Sequence, residues 1–253
     1  QGEGDLVITD VRSNIRAAAA LLALSACAVA LTAAAPQERP IDPPSGMRWR
    51  QIGPLRAGRA RALSGIASKP NTFYIGFDNG GVWRTTDYGS TWHPLFDKES
   101  TGSIGAIAVA PSAPDTLYVG TGESTLRDSM GFGNGVYKTT DAGKTWTHCG
   151  LDGTQHIGRI AVDPKNPNIA FVAAIGPMYD ASKERGLFRT TDGGKSFTSI
   201  VNNLPTGSAD FVHVIREDTK NPNLLFVGTD LGAYVSLNKG KSWQKFMVGL
   251  PST

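Results

Sequence analysis

Downstream of residue 60 the apolar residues fall into short alternating runs bounded by Gly, Pro, Asn and Asp, the pattern of half-buried β-strands. One set of runs spans Ala62 to Ala67, Ile104 to Ala110, Ile157 to Val162 and Val212 to Glu217. Each is followed by a proline, Pro70, Pro114, Pro167 or Pro222, and four residues later by the aromatic of a second run at Tyr74, Tyr118, Phe171 or Phe226. The β-branched and aromatic content of these second runs predicts strands. Two further strands per unit flank a short polar motif, so each unit predicts four strands with the motif on the turn between the third and fourth.

The motif occurs four times, as Thr85-Thr86-Asp87-Tyr88-Gly89-Ser90-Thr91-Trp92, Thr139-Thr140-Asp141-Ala142-Gly143-Lys144-Thr145-Trp146, Thr190-Thr191-Asp192-Gly193-Gly194-Lys195-Ser196-Phe197 and Ser236-Leu237-Asn238-Lys239-Gly240-Lys241-Ser242-Trp243. Its Asp or Asn positions are 54, 51 and 46 residues apart, a period that points to propeller blades or another repeat array. The motif solves a turn problem. An Asx side chain accepts hydrogen bonds from nearby backbone N–H groups, Gly supplies a positive φ, and the Ser or Thr hydroxyls tie the turn together. The aromatic that follows has the bulk to fill the wedge between neighbouring sheets. Asp87, Asp141, Asp192 and Asn238 are therefore expected to be structural.

These motifs resemble the Asp-box, or BNR, repeat, and the stretch from Trp49 to Leu250 is similar to the Asp-box β-propellers of the glycosyl-hydrolase-like and sortilin-like repeat proteins. Gly80 to Asp87 and Ile157 to Pro164 carry the resemblance most closely, while Phe197 in place of Trp and Asn238 in place of Asp depart from it. The resemblance implies an all-β propeller of which this chain encodes four four-stranded blades. Relatives with six or more blades make these four an expected part of a larger propeller, with a genuine four-bladed ring as the alternative. Arg48 to Ile52 reads as an additional leading strand, seventeen strands in all, and the junction Val201 to Pro205 is one place where blades are expected to be missing, the other being beyond Thr253. Four blades that do not close alone would pair as an oligomer.

The residues before Trp49 read differently. Arg12 and Arg16 precede an apolar run from Ala17 to Ala35 whose only polar members are Ser25 and Thr32, a signal peptide pattern favoured over a membrane anchor because so much of the run is alanine. Cleavage is expected after Ala34. Leu24-Ser25-Ala26-Cys27 also fits a lipoprotein box, by which Cys27 would tether the protein to a membrane, or a small residue placed there by chance. Residues 36–48 read as a linker and 49–253 as the propeller, and Gln1 to Asp10 look unlike a leader and are expected to lie upstream of the true start. The expected location is outside the bacterial cytoplasm, secreted or periplasmic. A formal net charge of +3 without a Lys/Arg run gives no reason for a nucleic acid partner. Two cysteines exclude a disulfide scaffold.

Strands in a blade alternate in direction, so the Asp boxes share one face with the turns between first and second strands, and the second-to-third loops share the other. Two loops on that other face are long, Gly120 to Asn134 with Glu123, Arg127 and Asp128, and Gly176 to Arg185 with Tyr179, Asp180, Glu184 and Arg185. Asp78 and Asp230 sit on short loops of the same face. Glycoside hydrolysis needs two carboxylates. The segment Phe77 to Trp83 resembles the turn carrying a catalytic Asp in xyloglucanase-type Asp-box enzymes, and Thr229 to Gly232 loosely resembles its counterpart. That resemblance implies Asp78 as the base and Glu123 or Asp230 as the acid, although Asp-Asn-Gly also suits an ordinary tight turn. Sialidases share the box, but the Arg-Ile-Pro motif they require has no match here. Arg56, Arg59, Arg61 and Arg159 stand at or just before first strands, where a cationic ring would suit a carboxylate or sulfate unless it is solvated or paired with the acids. Arg59, Arg61, Arg127, Asp128, His156, Arg159 and Tyr179 form the ligand-binding candidates. The four histidines show no metal-ligand spacing, and no metal or cofactor is expected. The expected function is recognition of a polysaccharide or an extracytoplasmic protein segment. The alternatives are a glycoside hydrolase and a gene fragment without function.

Overall fold

The computed structural model describes residues 58–125, 129–179, 182–205, 212–247 and 249. The leader, Cys27, the linker, the leading strand at 48–52 and the candidates Arg127, Asp128 and Asp180 lie outside them. The described chain forms sixteen strands in four antiparallel sheets, each with its strands in sequence order. Blade 1 holds β1 (Ala60–Ile66), β2 (Lys69–Phe77), β3 (Gly81–Thr85) and β4 (His93–Pro94). Blade 2 holds β5 (Ile104–Ala110), β6 (Ala113–Thr121), β7 (Val136–Thr139) and β8 (Thr147–Gly150), followed by one 3-10 turn, Asp152–Thr154. Blade 3 is β9 (Ile157–Val162), β10 (Ala170–Ala174), β11 (Gly186–Thr190) and β12 (Thr198–Ser199), and blade 4 is β13 (Val212–Glu217), β14 (Leu225–Thr229), β15 (Gly232–Ser236) and β16 (Gln244–Lys245). The protein is an all-β Asp-box propeller with four four-stranded blades. The fourth strands are shorter than the sequence predicts, and the box aromatic lies before the strand because it serves the wedge rather than the ladder.

The boxes fold as the turn argument requires. In the second, Asp141 Oδ1 accepts from the Thr145 backbone N–H at 2.9 Å and the Thr139 hydroxyl at 2.7 Å, and Oδ2 accepts from the Thr145 hydroxyl at 2.6 Å. Asn238 keeps the same geometry with one bond reversed, its Nδ2 donating to Ser242 Oγ at 2.8 Å. Ala142 (φ 60°) and Gly143 (φ 90°) pass through the left-handed region, which the bonds to Asp141 and Thr139 hold in place.

Blades are joined by repeated contacts. A basic residue on the third strand of blades 1 to 3 donates to the box carbonyl of the next blade: Arg84 to Ala142 at 3.2 Å, Lys138 to Gly193 at 3.1 Å and Arg189 to Lys239 at 3.3 Å. The box indoles reach the other way, Trp146 to the Leu95 carbonyl and Trp243 to that of Ile200. Phe197 has no N–H to do so. The fourth blade packs directly on the third, with Ile200, Leu204, Val212 and Ile215 in one core cluster. The aromatics Tyr74, Tyr118 and Phe171 are 1%, 0% and 1% exposed between blades, whereas their counterpart Phe226 is 37% exposed on the outer face of blade 4. Fully burying such a ring contributes about 1.5–3 kcal/mol. An open blade face of this kind is what a part of a larger propeller presents.

Candidate functional site

Each first strand enters its sheet through a register shift. The pairing with the second strand skips Arg61, Gly105, Gly158 and His213 in blades 1 to 4. Such bulges re-aim a side chain at the rim of a sheet. The residue that follows the paired end of the second strand is Asp78, Gly122, Ile175 and Asp230 in turn. Blades 1 and 4 thus place Arg61 and His213 opposite an aspartate at the same repeat position, and blades 2 and 3 place glycine there.

In blade 1 this corner gathers four of the sequence candidates. Arg59 Nε and Arg61 Nε donate to Asp78 Oδ2 at 2.9 and 3.3 Å, and their Nη2 atoms donate to Glu123 Oε1 at 2.9 and 3.5 Å. Both carboxylates are buried, 2% and 0% exposed, while the Arg59 side chain is 46% exposed. Main-chain bonds fix the geometry. The Asp78 N–H donates to the Arg59 carbonyl at 3.0 Å, Gly122 to Ser103 at 2.8 Å and Glu123 to Gly131 at 2.9 Å. At Gly58 a Cβ would run into the Asp78 carbonyl and at Gly122 (φ 89°) into that of Gln155, so only glycine allows the backbones to approach.

Two buried carboxylates beside two guanidiniums form a compact neutral cluster. Burial, and then the negative neighbour Glu123, push the Asp78 pKa above its ordinary value against the pull of Arg61. His156, fully buried beside the Glu123 main chain, has its pKa pushed down by burial and is neutral. Its ring lies 5.5 Å from that of Phe132, which is 66% exposed. The Phe132 carbonyl accepts from Thr101 Oγ1 at 3.1 Å, and the adjoining Gly131 packs on Ser103 and Asn79. This places an exposed aromatic on a loop packed against the Asp78 turn. Sequence reasoning passed over it, and its signal was the Gly131-Phe132-Gly133 flank.

The other candidates lie apart. Asp230 pairs with His213 at 2.7 Å in the blade 4 corner. Tyr179 is 86% exposed at the tip of its loop, and Arg185, held on the Ile175 and Pro177 carbonyls at 3.0 and 2.7 Å, braces that loop's base. Arg159 lies on β9, inside the inner layer of strands rather than at the corner. The box carboxylates occupy the opposite ends of the blades. Among the described residues no group of three or more His, Cys, Asp or Glu is placed to hold a metal ion.

Comparison with known proteins adds family and fold. Residues 80–208 match the Sortilin-Vps10 family (sortilin, neurotensin receptor 3). A probable oligoxyloglucan-reducing end-specific xyloglucanase of Neosartorya fischeri is 25% identical over 213 residues, covering 78% of this chain and 24% of the relative. The chain therefore spans about a quarter of the length of the curated relatives it matches. Among solved structures, the GH74 xyloglucanase from Xanthomonas campestris superposes with a TM-score of 0.62 at 20% identity, covering 81% of this chain and 32% of that one. The extracellular domain of a one component system from B. thetaiotaomicron superposes with a TM-score of 0.52 at 18% identity, over 74% of this chain and 22% of that one. At these identities the structures bear on the fold alone.

Proposed function

The chain belongs to the Sortilin-Vps10 family of Asp-box propellers, and from that footing we propose that the face bearing Asp78 and Glu123 is the polysaccharide-binding surface of an exported protein. The observation that carries the reading is the corner itself. Arg59 is anchored by two buried carboxylates at 2.9 Å each yet leaves nearly half of its side chain in solvent, on the face that also carries the exposed ring of Phe132. Preset donors beside an aromatic face suit the hydroxyls and the apolar faces of a sugar ring. The curated relatives named as xyloglucanases support a polysaccharide as the ligand. The leader-like run before residue 36 supports export.

Calorimetric titration with xyloglucan oligosaccharides tests the reading. Arg59→Ala and Phe132→Ala each weaken binding about tenfold, the scale of one lost charge-assisted hydrogen bond or one lost stacking contact. Wild-type affinity in both variants, with their folding intact, contradicts it.

A second reading, hydrolysis of a β-glucan, draws on the xyloglucanase relatives and on the raised pKa of Asp78, which fits it to take up a proton as the base. The second carboxylate of such a mechanism is Glu123 or Asp230. Asp78→Asn is expected to abolish release of reducing ends while binding survives, and undiminished turnover in that variant rejects catalysis.

A further inference from the structure

The four inner strands pack side by side in sequence order, β1 on β5, β5 on β9 and β9 on β13. Residues of all four line a cavity of about 210 Å3. It runs from the middle of these strands to the turns that follow them, where Pro111, Pro164 and Thr219 line its open rim. That is the Asp-box end of the blades, the end away from Asp78 and Arg61. Its walls carry apolar side chains, among them Leu63, Ile107 and Ile160, and two guanidiniums, Arg159 and Arg216.

Neither arginine has a carboxylate partner among the described residues. Arg159 is partly buried and Arg216 is exposed, and burial, then the like charge of Arg216, pushes the Arg159 pKa down. Glu217 also lines the cavity, but the charged groups that act on it are Asp163 and Lys239 and neither arginine. Partly burying the Arg159 guanidinium without a counter-charge is costly, and the like charge of Arg216 adds repulsion. A fold normally avoids both. The other arginines of the inner strands' rim do so here, since Arg59 and Arg61 are each bound to two carboxylates.

We propose that this axial cavity is a binding site for a small oxyanion, free or carried as the charged substituent of a sugar, held between Arg159 and Arg216. Two guanidinium forks match the oxygens of a sulfate or carboxylate. The volume falls below the roughly 300–1,000 Å3 of ordinary ligand pockets, so it admits a single charged group rather than a length of polymer. The proposal is independent of the carbohydrate reading of the opposite face, because it shares no residue with it.

Titration calorimetry of the full chain at low ionic strength, with sodium sulfate, D-glucuronate and D-glucose, tests it. Saturable binding of sulfate or glucuronate, with none of glucose, is expected. Arg159→Gln and Arg216→Gln each weaken it about tenfold, Arg159→Lys weakens it less, and Asp78→Asn leaves it unchanged. Sulfate and glucuronate binding alike identifies a free oxyanion, and glucuronate alone identifies a sugar-borne group. No saturable oxyanion binding overturns the proposal. So does wild-type affinity in Arg159→Gln, and the lysine variant separates loss of charge from loss of fold.

Discussion

Asp141 and Asp78 are the same side chain at opposite ends of neighbouring blades, and the fold uses them in opposite ways. Asp141 stands at the solvent edge and accepts from its own turn, from Thr139 and Thr145 within four residues, so its anion is favoured and its pKa is held well below the usual carboxylate range. Asp78 is buried, lies beside a second carboxylate, and is bonded to arginines 17 and 19 residues away, and its pKa is raised. The first arrangement recurs in every blade and costs the fold little. The second, a buried carboxylate pair bound to two arginines, is found among the described residues in blade 1, where the buried charge is matched. Perturbed carboxyls gathered on one face are the mark of a functional site, and a carboxyl satisfied inside its turn is the mark of a scaffold.

The largest way to break this contrast is Arg61→Ala. It leaves two buried carboxylates with one half-exposed counter-charge, and a loss of about 3 kcal/mol is expected in urea denaturation, the scale of breaking a buried ion pair. A loss below about 1 kcal/mol would mean that the corner is wet. Next in size is the pH dependence, for which the two classes have opposite sign. Glu217, pushed up to about 7 by burial and then by Asp163, binds its proton more tightly in the folded state. Its stabilising contribution is full below 4.5 and is lost as pH rises through 7. Asp78 is raised in the same sense. The box carboxylates run the other way. The stabilisation from Asp87, lowered from 3.8 to about 2, is present above 3.8 and is lost as pH falls through that lower value. Glu217→Gln should therefore flatten the fall in melting temperature from pH 4.5 to 8 and leave the acid limb in place, and an unchanged neutral limb would count against the assignment.

Smaller effects sharpen the scaffold side of the comparison. Asp141→Ala removes the acceptor of three bonds and is expected to lower the melting temperature by more than Asp141→Asn, since Asn238 already builds the same turn with an amide. The reverse exchange, Asn238→Asp, should change stability by less than about 0.5 kcal/mol in urea denaturation. A larger shift would show that the reversed bond to Ser242 is specific to the fourth box.

Much of this was legible in the chain. The predicted strands at Ile104 to Ala110, Ile157 to Val162 and Val212 to Glu217 agree with β5, β9 and β13 to the residue, because period-two alternation between fixed turn residues leaves one register that buries the apolar face. The division of blade ends into a box end and a loop end followed from strand direction alone, and it brought Asp78, Glu123, Arg59 and Arg61 onto one side. Arg159 was read as part of a ring with Arg59 and Arg61, but the structure sets it deeper, on β9, beside Arg216. Arg216 drew no notice in the sequence, where it was one charged residue in a strand whose counterparts are Ala108 and Ala161.

What the sequence determined by itself was the repeated unit, since its instructions act over two to four residues: a side-chain oxygen for the turn, a glycine for a positive φ, an aromatic for the wedge. What only the tertiary structure decided was which charges meet. Arg59 reaches Glu123 across 64 positions, and Arg159 shares a cavity with Arg216, because the bulges and the packing of one blade on the next set those distances. Whether a carboxylate is buried with its counter-ion or left in water depends on that packing, and nothing within a few residues of it carries the information.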